Sequence, residues 1–430
     1  MSNFCEYYLY QRYEKVGDGE WTPTYPNEYS ISGDTNDPMP LVVKRCESPD
    51  CGYRDPIYRW ADTEDTICVY VDDSGYLVIE SQSNNNTITW NATNTSYTRT
   101  ISASTDNGSS WNTYTSSTSG TNLGTLNNGE RMFLKGENSE YAVLGGLSGN
   151  GYNYFGSTGE FIVYGDIMAL IGDDELTSNA VFAYLFSGCT GLTSAENLIL
   201  SATTLTTQCY IYMFKGCTSL TTAPELPALN LANTCYGGMF QGCASLTTAP
   251  ELPATTLADN CYQFMFNGCT SLITAPELPA TTMTNACYEY MFQNCRSLTT
   301  APELPALNLA TGCYNYMFTG CHSLTTAPSL PATTLANACY QGMFSFCKGL
   351  TTAPTLSAST LTTKCYYWMF YGCTSLNSIT CLAIDISASN CTFAWLDGVS
   401  SSGTFTKAAS MNDWPRTYSG IPYRWTVQNA

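Results

Sequence analysis

Histidine is almost missing from this chain: His322 is the only one in 430 residues. A multi-histidine metal centre is excluded by that count, and a His-dependent catalytic triad would have to rest on one residue. Basic residues are scarce too, 16 against 35 acidic, for a net charge of −19. A surface of that sign repels phosphate backbones and anionic lipid headgroups, so neither nucleic acid nor a membrane face is an expected partner. Charged residues of both signs make up only 12% of the chain, about half the usual share. Solubility therefore falls to the hydroxyls and amides of Ser, Thr, Asn and Tyr. No apolar run reaches the length of a membrane span, since FIVYGDIMALIG is broken by Gly165 and Asp166, and no membrane insertion is expected. The opening MSNFCEYYLYQRYEKVGDGEW has no apolar core of the length that a secretory signal requires. If Met1 is the natural start, export by the usual route is not expected. No G-x-S-x-G, Walker or GxGxxG motif stands in a strand–helix context, and no cofactor is expected.

Cysteine, in contrast, is plentiful, with 21 residues, and it is periodic. From Cys209 it recurs every 26 residues through Cys235, Cys261, Cys287, Cys313, Cys339, Cys365 and Cys391. A parallel column runs Cys217, Cys243, Cys269, Cys295, Cys321, Cys347 and Cys373, and Phe214 to Phe370 and Leu220 to Leu376 keep the same step. An earlier copy carries Phe186, Cys189 and Leu192, offset by 28 residues. Within one unit, Leu257, Cys261, Met265 and Phe266 fall at near-helical intervals on one apolar stripe, which Gly268 ends. Pro276 and Pro279 then forbid helix, and an extended piece there would turn Ala275 and Leu278 inward and Glu277 outward. No such unit closes a core alone; stacked copies do, in a solenoid.

Units such as MFQGCASLTTAPELPATTLADNCY resemble the BspA-like leucine-rich-repeat surface proteins, over about residues 180–395. The tail WLDGVSSSGTFTKAASMNDWPRTYSGIPYRWTVQ is similar to the closing segment of such arrays in proteins of gut Bacteroidales and their phages. It would seal the last unit with Trp395, Trp414 and Trp425. This sequence departs from the commoner unit in carrying Cys-Tyr where Ile-Gly is usual. Before the array, GYLVIES, NTITWNA, RMFLKG and GEFIVYG read as strands, and SYTRTISAS–TDNGSS–SWNTYTSS as a hairpin. STDNGSSW and GEFIVYGDIMALIG also resemble the domain that precedes this repeat type. The expected fold is mainly β with short helical turns. A Cys/Tyr-rich attachment module (1–68) and a β-sandwich (69–176) precede a leucine-rich-repeat solenoid of 26-residue units (177–395) and a C-terminal cap (396–430).

The candidate ligand-binding residues are aromatic and acidic. Tyr210, Tyr236, Tyr262, Tyr288, Tyr314, Tyr340 and Tyr366 form a constant column, whose simplest role is packing between turns. Two positions on, Tyr212, Phe264, Tyr290, Tyr316 and Trp368 form a variable column, suited to sugars or protein partners. Glu225, Glu251, Glu277 and Glu303 make an acidic column at about 5 Å spacing, the separation of a retaining glycosidase pair. A repeated, solvated column lacks the asymmetric surroundings that divide an acid from a base, so no catalytic residue is assigned. His322 occupies a slot filled elsewhere by Thr218, Ala244, Thr270 and Arg296, and is read as a tolerant surface position. The array cysteines read as buried core filler. Cys5, Cys46, Cys51 and Cys68 remain for disulfides, Cys51–Cys68 being the leading pair, or less favourably for zinc; no metal site is assigned.

The expected function is non-enzymatic binding. The first expectation is a phage virion protein (fibre, appendage or capsid decoration) contacting bacterial surface glycans or proteins, and other virion proteins through its N-terminal module. The alternative is a bacterial cell-surface BspA-like adhesin, and a glycan-active enzyme ranks third. Recurrent apolar edges leave room for a homo-oligomer.

Overall fold

The computed structural model describes residues 75–145 and 150–430, together with the backbone of four short strands before them. The chain divides into two compact units, 1–75 and 76–430. In the first, β1 (Arg12–Val16) pairs antiparallel with β2 (Glu20–Thr24), and β3 (Val42–Val43) with β4 (Tyr58–Arg59). Cys5, Cys46, Cys51 and Cys68, and with them the expected Cys51–Cys68 bond, lie outside the described residues.

The second unit begins with two sheets packed face to face, neither closing into a barrel. One contains β5 (Leu77–Ser81), β7 (Thr100–Ser104), β8 (Asn112–Thr115), β10 (Arg131–Gly136) and β13 (Phe161–Asp166). The other contains β6 (Asn86–Ala92), β9 (Thr121–Leu126), β11 (Ala142–Val143) and β12 (Gly151–Ser157). Alternation of apolar and polar residues sets the faces: in NTITWNA every second residue is buried, as period-two pleating requires. Ile79, Met132 and Leu134 from one sheet meet Ile88, Trp90 and Phe155 from the other in a common core. The expected hairpin forms between β7 and β8, turning through Asn107 and Gly108, both at positive φ. Among the described residues the only helical element is a single 3₁₀ turn, Ile167–Leu170, capped by the Asp166 carboxylate, which accepts from the Met168 N–H at 2.9 Å.

The array starts on the edge of this sandwich. β14 (Leu192–Ser194) and β15 (Leu198–Ile199) pair in parallel with β13. Single parallel bridges then carry the wall onward, among them Thr248 to Thr274, Thr274 to Thr300 and Thr300 to Thr326. It ends in the parallel sheet β16 (Ser378–Cys381), β17 (Thr404–Lys407) and β18 (Thr426–Asn429). Between the two ends the extended segment is barely laddered. Leu278 is buried and Glu277 exposed, as expected, but Pro276 and Pro279 bring no N–H to a ladder. Only isolated bridges remain, from none to three at a junction.

The opposite wall does the holding, and not as a helix. The near-helical spacing comes from consecutive turns in which every fourth residue is left-handed: Asn260, Phe264 and Gly268 have φ of 57°, 59° and 77°. Backbone N–H groups alternate between two uses. Those of Cys261, Gln263, Met265 and Asn267 close turns onto the carbonyl three residues back, at 3.0–3.2 Å. Those of Asn260, Tyr262, Phe264, Phe266 and Gly268 cross to carbonyls of the next unit, at 2.8–3.0 Å. A helix would spend all of these donors inside the unit. Five crossing bonds of this kind recur at each junction from the unit of Ala180 to that of Asn390. They answer where the backbone donors of a strand-poor solenoid go.

Inside, identical residues stack. The Phe column runs from Phe155 of β12 through Phe186 to Phe370 with centroids 5.4–5.7 Å apart. The sandwich thus supplies the column's first ring. Each second-column cysteine donates its S–H to the preceding unit's Phe carbonyl, as Cys269 does to Phe240 at 3.1 Å. These thiols are hydrogen-bonded parts of the junction, beyond the space-filling role that composition suggests.

Candidate binding surface

The constant tyrosines are fully buried and form one continuous stack. It opens with Tyr141 on Phe182 and ends with Tyr366 on Trp395 and Trp395 on Trp414, centroids 5.5–6.3 Å apart at those junctions. Burial raises their hydroxyl pKa values, Tyr262 and Tyr288 included. They hold the array and do not face a ligand.

The variable column is half-exposed, and its members sit at the central left-handed position of each unit, with φ between 53° and 59° for Tyr212, Phe264, Tyr290, Tyr316 and Trp368. The fold does not bring all five together. Phe264, Tyr290 and Tyr316 stack at 4.8 and 5.0 Å, with planes 4° and 6° apart. Tyr212 packs instead against Tyr184 at a 41° tilt, and Tyr184 in turn stacks on Tyr152 of β12 at 4.2 Å. Gly238 and Gly342 interrupt the ladder, because the rings of Tyr212 and Tyr316 lie where their side chains would begin. Stacking has a chemical consequence. A sugar binds an aromatic ring through its face, whereas a ring inside a parallel stack has both faces covered and shows only its edge. Tyr290 is such a ring, so the middle of the column is a poor sugar platform.

Towards the C-terminal end parallel stacking gives way to tilted and edge-on contacts. There Trp368 is tilted by 33° to Tyr371, which meets Phe346 edge-on at 83°. Tyr367 stacks on Phe393, and Phe393 meets Tyr418 at 75°. Phe346 is 43% and Tyr418 55% exposed. The Tyr418 hydroxyl is hydrogen-bonded to Asp397, and desolvation together with that carboxylate raises its pKa. Asp397 and Tyr418 also line a cavity of about 520 Å³ in the closing segment, beside Ser400 and Tyr423. Arg416 lines the same cavity, its guanidinium held by the carbonyls of Pro422, Tyr423 and Trp425. Sequence reasoning found Trp368 here and missed Tyr367, Tyr371, Phe393 and Tyr418. Tyr371 was within reach, since its column otherwise reads Lys215, Gln241, Asn267, Gln293, Thr319 and Ser345.

A row of amides and one carboxylate flanks the stacked rings. Glu289 accepts from the side chain of Gln263 at 2.5 Å and of Asn315 at 2.6 Å, and Gln341 donates to the Tyr316 hydroxyl at 3.1 Å. Glu225, Glu251, Glu277 and Glu303 are all exposed, in line along the extended segments. Ser329 donates to Glu303 at 3.4 Å. Among the described residues no group of three or more Cys, His, Asp and Glu is placed to hold a metal ion, and no helix is long and apolar enough to cross a membrane.

Comparison with known families gives one match. A family profile described as BspA type leucine rich repeat region fits in six copies, over residues 179–325 and 287–397, just over half of the chain. No match was found among curated proteins or among solved structures.

Proposed function

The chain belongs to the BspA type leucine-rich-repeat family, and from that premise we propose that it is a surface adhesin-type binding protein with no catalytic role. The observation that carries this reading is a division within the units. Positions facing the core are constant: Cys, Tyr, Met, Phe, Cys and Leu recur at 0–2% exposure from the unit of Cys235 to that of Cys365. The position between them, half-exposed wherever it carries a ring, changes from unit to unit, through Tyr212, Gly238, Phe264, Tyr290, Tyr316, Gly342 and Trp368. Catalysis needs a few groups in distinct environments, whereas a constant frame with a changing face suits recognition. Within that face the open rings of Trp368, Tyr371 and Tyr418 are the expected contact with a surface glycan or protein.

The test is binding of the fluorescently labelled full chain to intact cells, with a triple variant Trp368→Ala, Tyr371→Ala, Tyr418→Ala alongside. The variant should lose most of the binding at unchanged thermal stability. Absence of binding by the wild-type chain to any cell surface tried would remove the adhesin reading. Proteomics of cell envelopes and of purified phage particles from the source culture locates the carrier. Recovery in envelopes supports a cell-surface adhesin, and recovery in particles alone would move the same binding face to a virion.

A further inference from the structure

The slot after the second cysteine column carries a charge pattern that the adhesin reading does not use. In three successive units it holds Arg296, His322 and Lys348; elsewhere it holds Thr218, Ala244, Thr270 and Thr374. Parallel stacking sets these side chains side by side at about 4.8 Å per rung, and the Gly349 N–H bonds the His322 carbonyl at 3.1 Å across one of the junctions. Basic residues are rare in the array: apart from Arg296 and Lys348 it contains only Lys215 and Lys364. The acidic column Glu225, Glu251, Glu277 and Glu303 ends in the unit of Arg296, and its slot holds Ser329 and Thr355 in the units of His322 and Lys348. Among the described residues no carboxylate pairs with Arg296 or Lys348. The charged groups that act on His322 are Lys348 and Arg296, and both, after burial, lower its pKa.

Like charges on adjacent rungs repel. A chain with 35 acidic residues nevertheless leaves these uncompensated, and within a Debye length of about 8 Å their field outweighs the distant net charge. We propose that Arg296, His322 and Lys348 form a binding ladder for an acidic polysaccharide lying along the array, its carboxylate or sulfate groups meeting successive rungs. A polysaccharide fits better than an acidic protein because the surroundings are hydroxylated: Ser297, Ser323, Thr299 and Thr325 flank the ladder, and protein interfaces favour apolar cores and disfavour Lys. The proposal rests on the adhesin-type reading only in taking the polymer from a cell surface.

His322 is its own reporter, being the sole histidine. The full chain, labelled at histidine, is followed by NMR during pH titration with oligogalacturonate, dextran sulfate, neutral dextran or polyglutamate. The expected result is an upward shift of the His322 pKa by about one unit with either acidic polysaccharide, and none with dextran. Affinity should therefore rise as the pH falls through the histidine range and should weaken steeply with salt. The double variant Arg296→Thr, Lys348→Thr uses the residue found at this slot in other units, so it should fold, and should bind at least about tenfold more weakly. The proposal is overturned by a resonance unmoved at saturating polyanion, by an equal shift with dextran, by undiminished affinity of the variant, or by binding of polyglutamate alone. Polyanion binding by a chain that adheres to no cell would preserve the ladder and remove the adhesin reading; the reverse result would do the opposite.

Discussion

Cysteine is the residue that most rewards close physical reading. The 17 array thiols are free and buried, and burial raises their pKa, to about 12 for Cys269 and Cys373 and about 11 for Cys287. In the unfolded chain the same thiols titrate near 9, the ordinary value for a cysteine. Above that pH the unfolded state therefore binds fewer protons than the folded one, and stability falls as pH rises. The thiol contribution should be complete below about pH 9 and be lost progressively towards pH 12, a trend that urea melts across this range would record. Thiol-specific labelling of the described residues at pH 8 should stay near zero until denaturant is added. Rapid labelling of the native chain at many sites would show that the columns are not closed. Tyr210 supplies a second test. Its hydroxyl is buried without a partner, and an unsatisfied buried group costs about 1–3 kcal/mol. Tyr210→Phe should be neutral or stabilising by up to about 1 kcal/mol in equilibrium unfolding, and a clear loss would reveal a partner for that hydroxyl.

At the level of the element, the turn wall decides stability, and its left-handed positions are its weak points. Gly188, Gly216, Gly242, Gly268, Gly320, Gly372 and Gly398 all lie near φ +75° at the last of the three left-handed positions. A Cβ on Gly268 would touch only Gly242, at 3.6 Å, so space is not the obstacle. The left-handed backbone itself costs an L-residue about 1–2 kcal/mol. Gly268→Ala should therefore lower stability by about that amount, and Gly268→Asn by less, since Asn294 occupies this position with φ 61°. Equal losses for both would show that packing governs the site. The repeat was fully legible in the sequence; its local conformation was not. Spacing such as Leu257, Cys261 and Met265 fits a helix and fits a run of turns equally well. Only a neighbouring unit that accepts every second N–H tips the choice.

The whole molecule is closed at both ends of its second compact unit. Phe155 and Tyr141 of the sandwich begin the two ring columns, and Trp414 covers Trp395 at the far end, where the indole N–H groups of Trp395 and Trp425 bond the carbonyls of Gly420 and Ser400. Open ends of such a stack expose strand edges and ring faces. The fragment 177–430 should therefore aggregate, while 76–430 stays soluble and melts cooperatively. Size-exclusion chromatography of the two separates the cases, and a monomeric, stable 177–430 would show that the sandwich is not a needed cap.

The candidate surface was legible in part. Composition and the 26-residue step were enough to establish a stacked, cysteine-lined array with a changing aromatic face. Stacking in register demands the same core residue at each step, and that demand is written directly into the chain. Tertiary structure alone decided which rings keep an open face. Whether Tyr290 is covered or Tyr371 uncovered depends on what the adjacent rung and the closing segment place against it. Of those neighbours, Gly238, Gly342 and Phe393 keep the 26-residue step, whereas Tyr418 lies beyond the last unit, where the period gives no guidance.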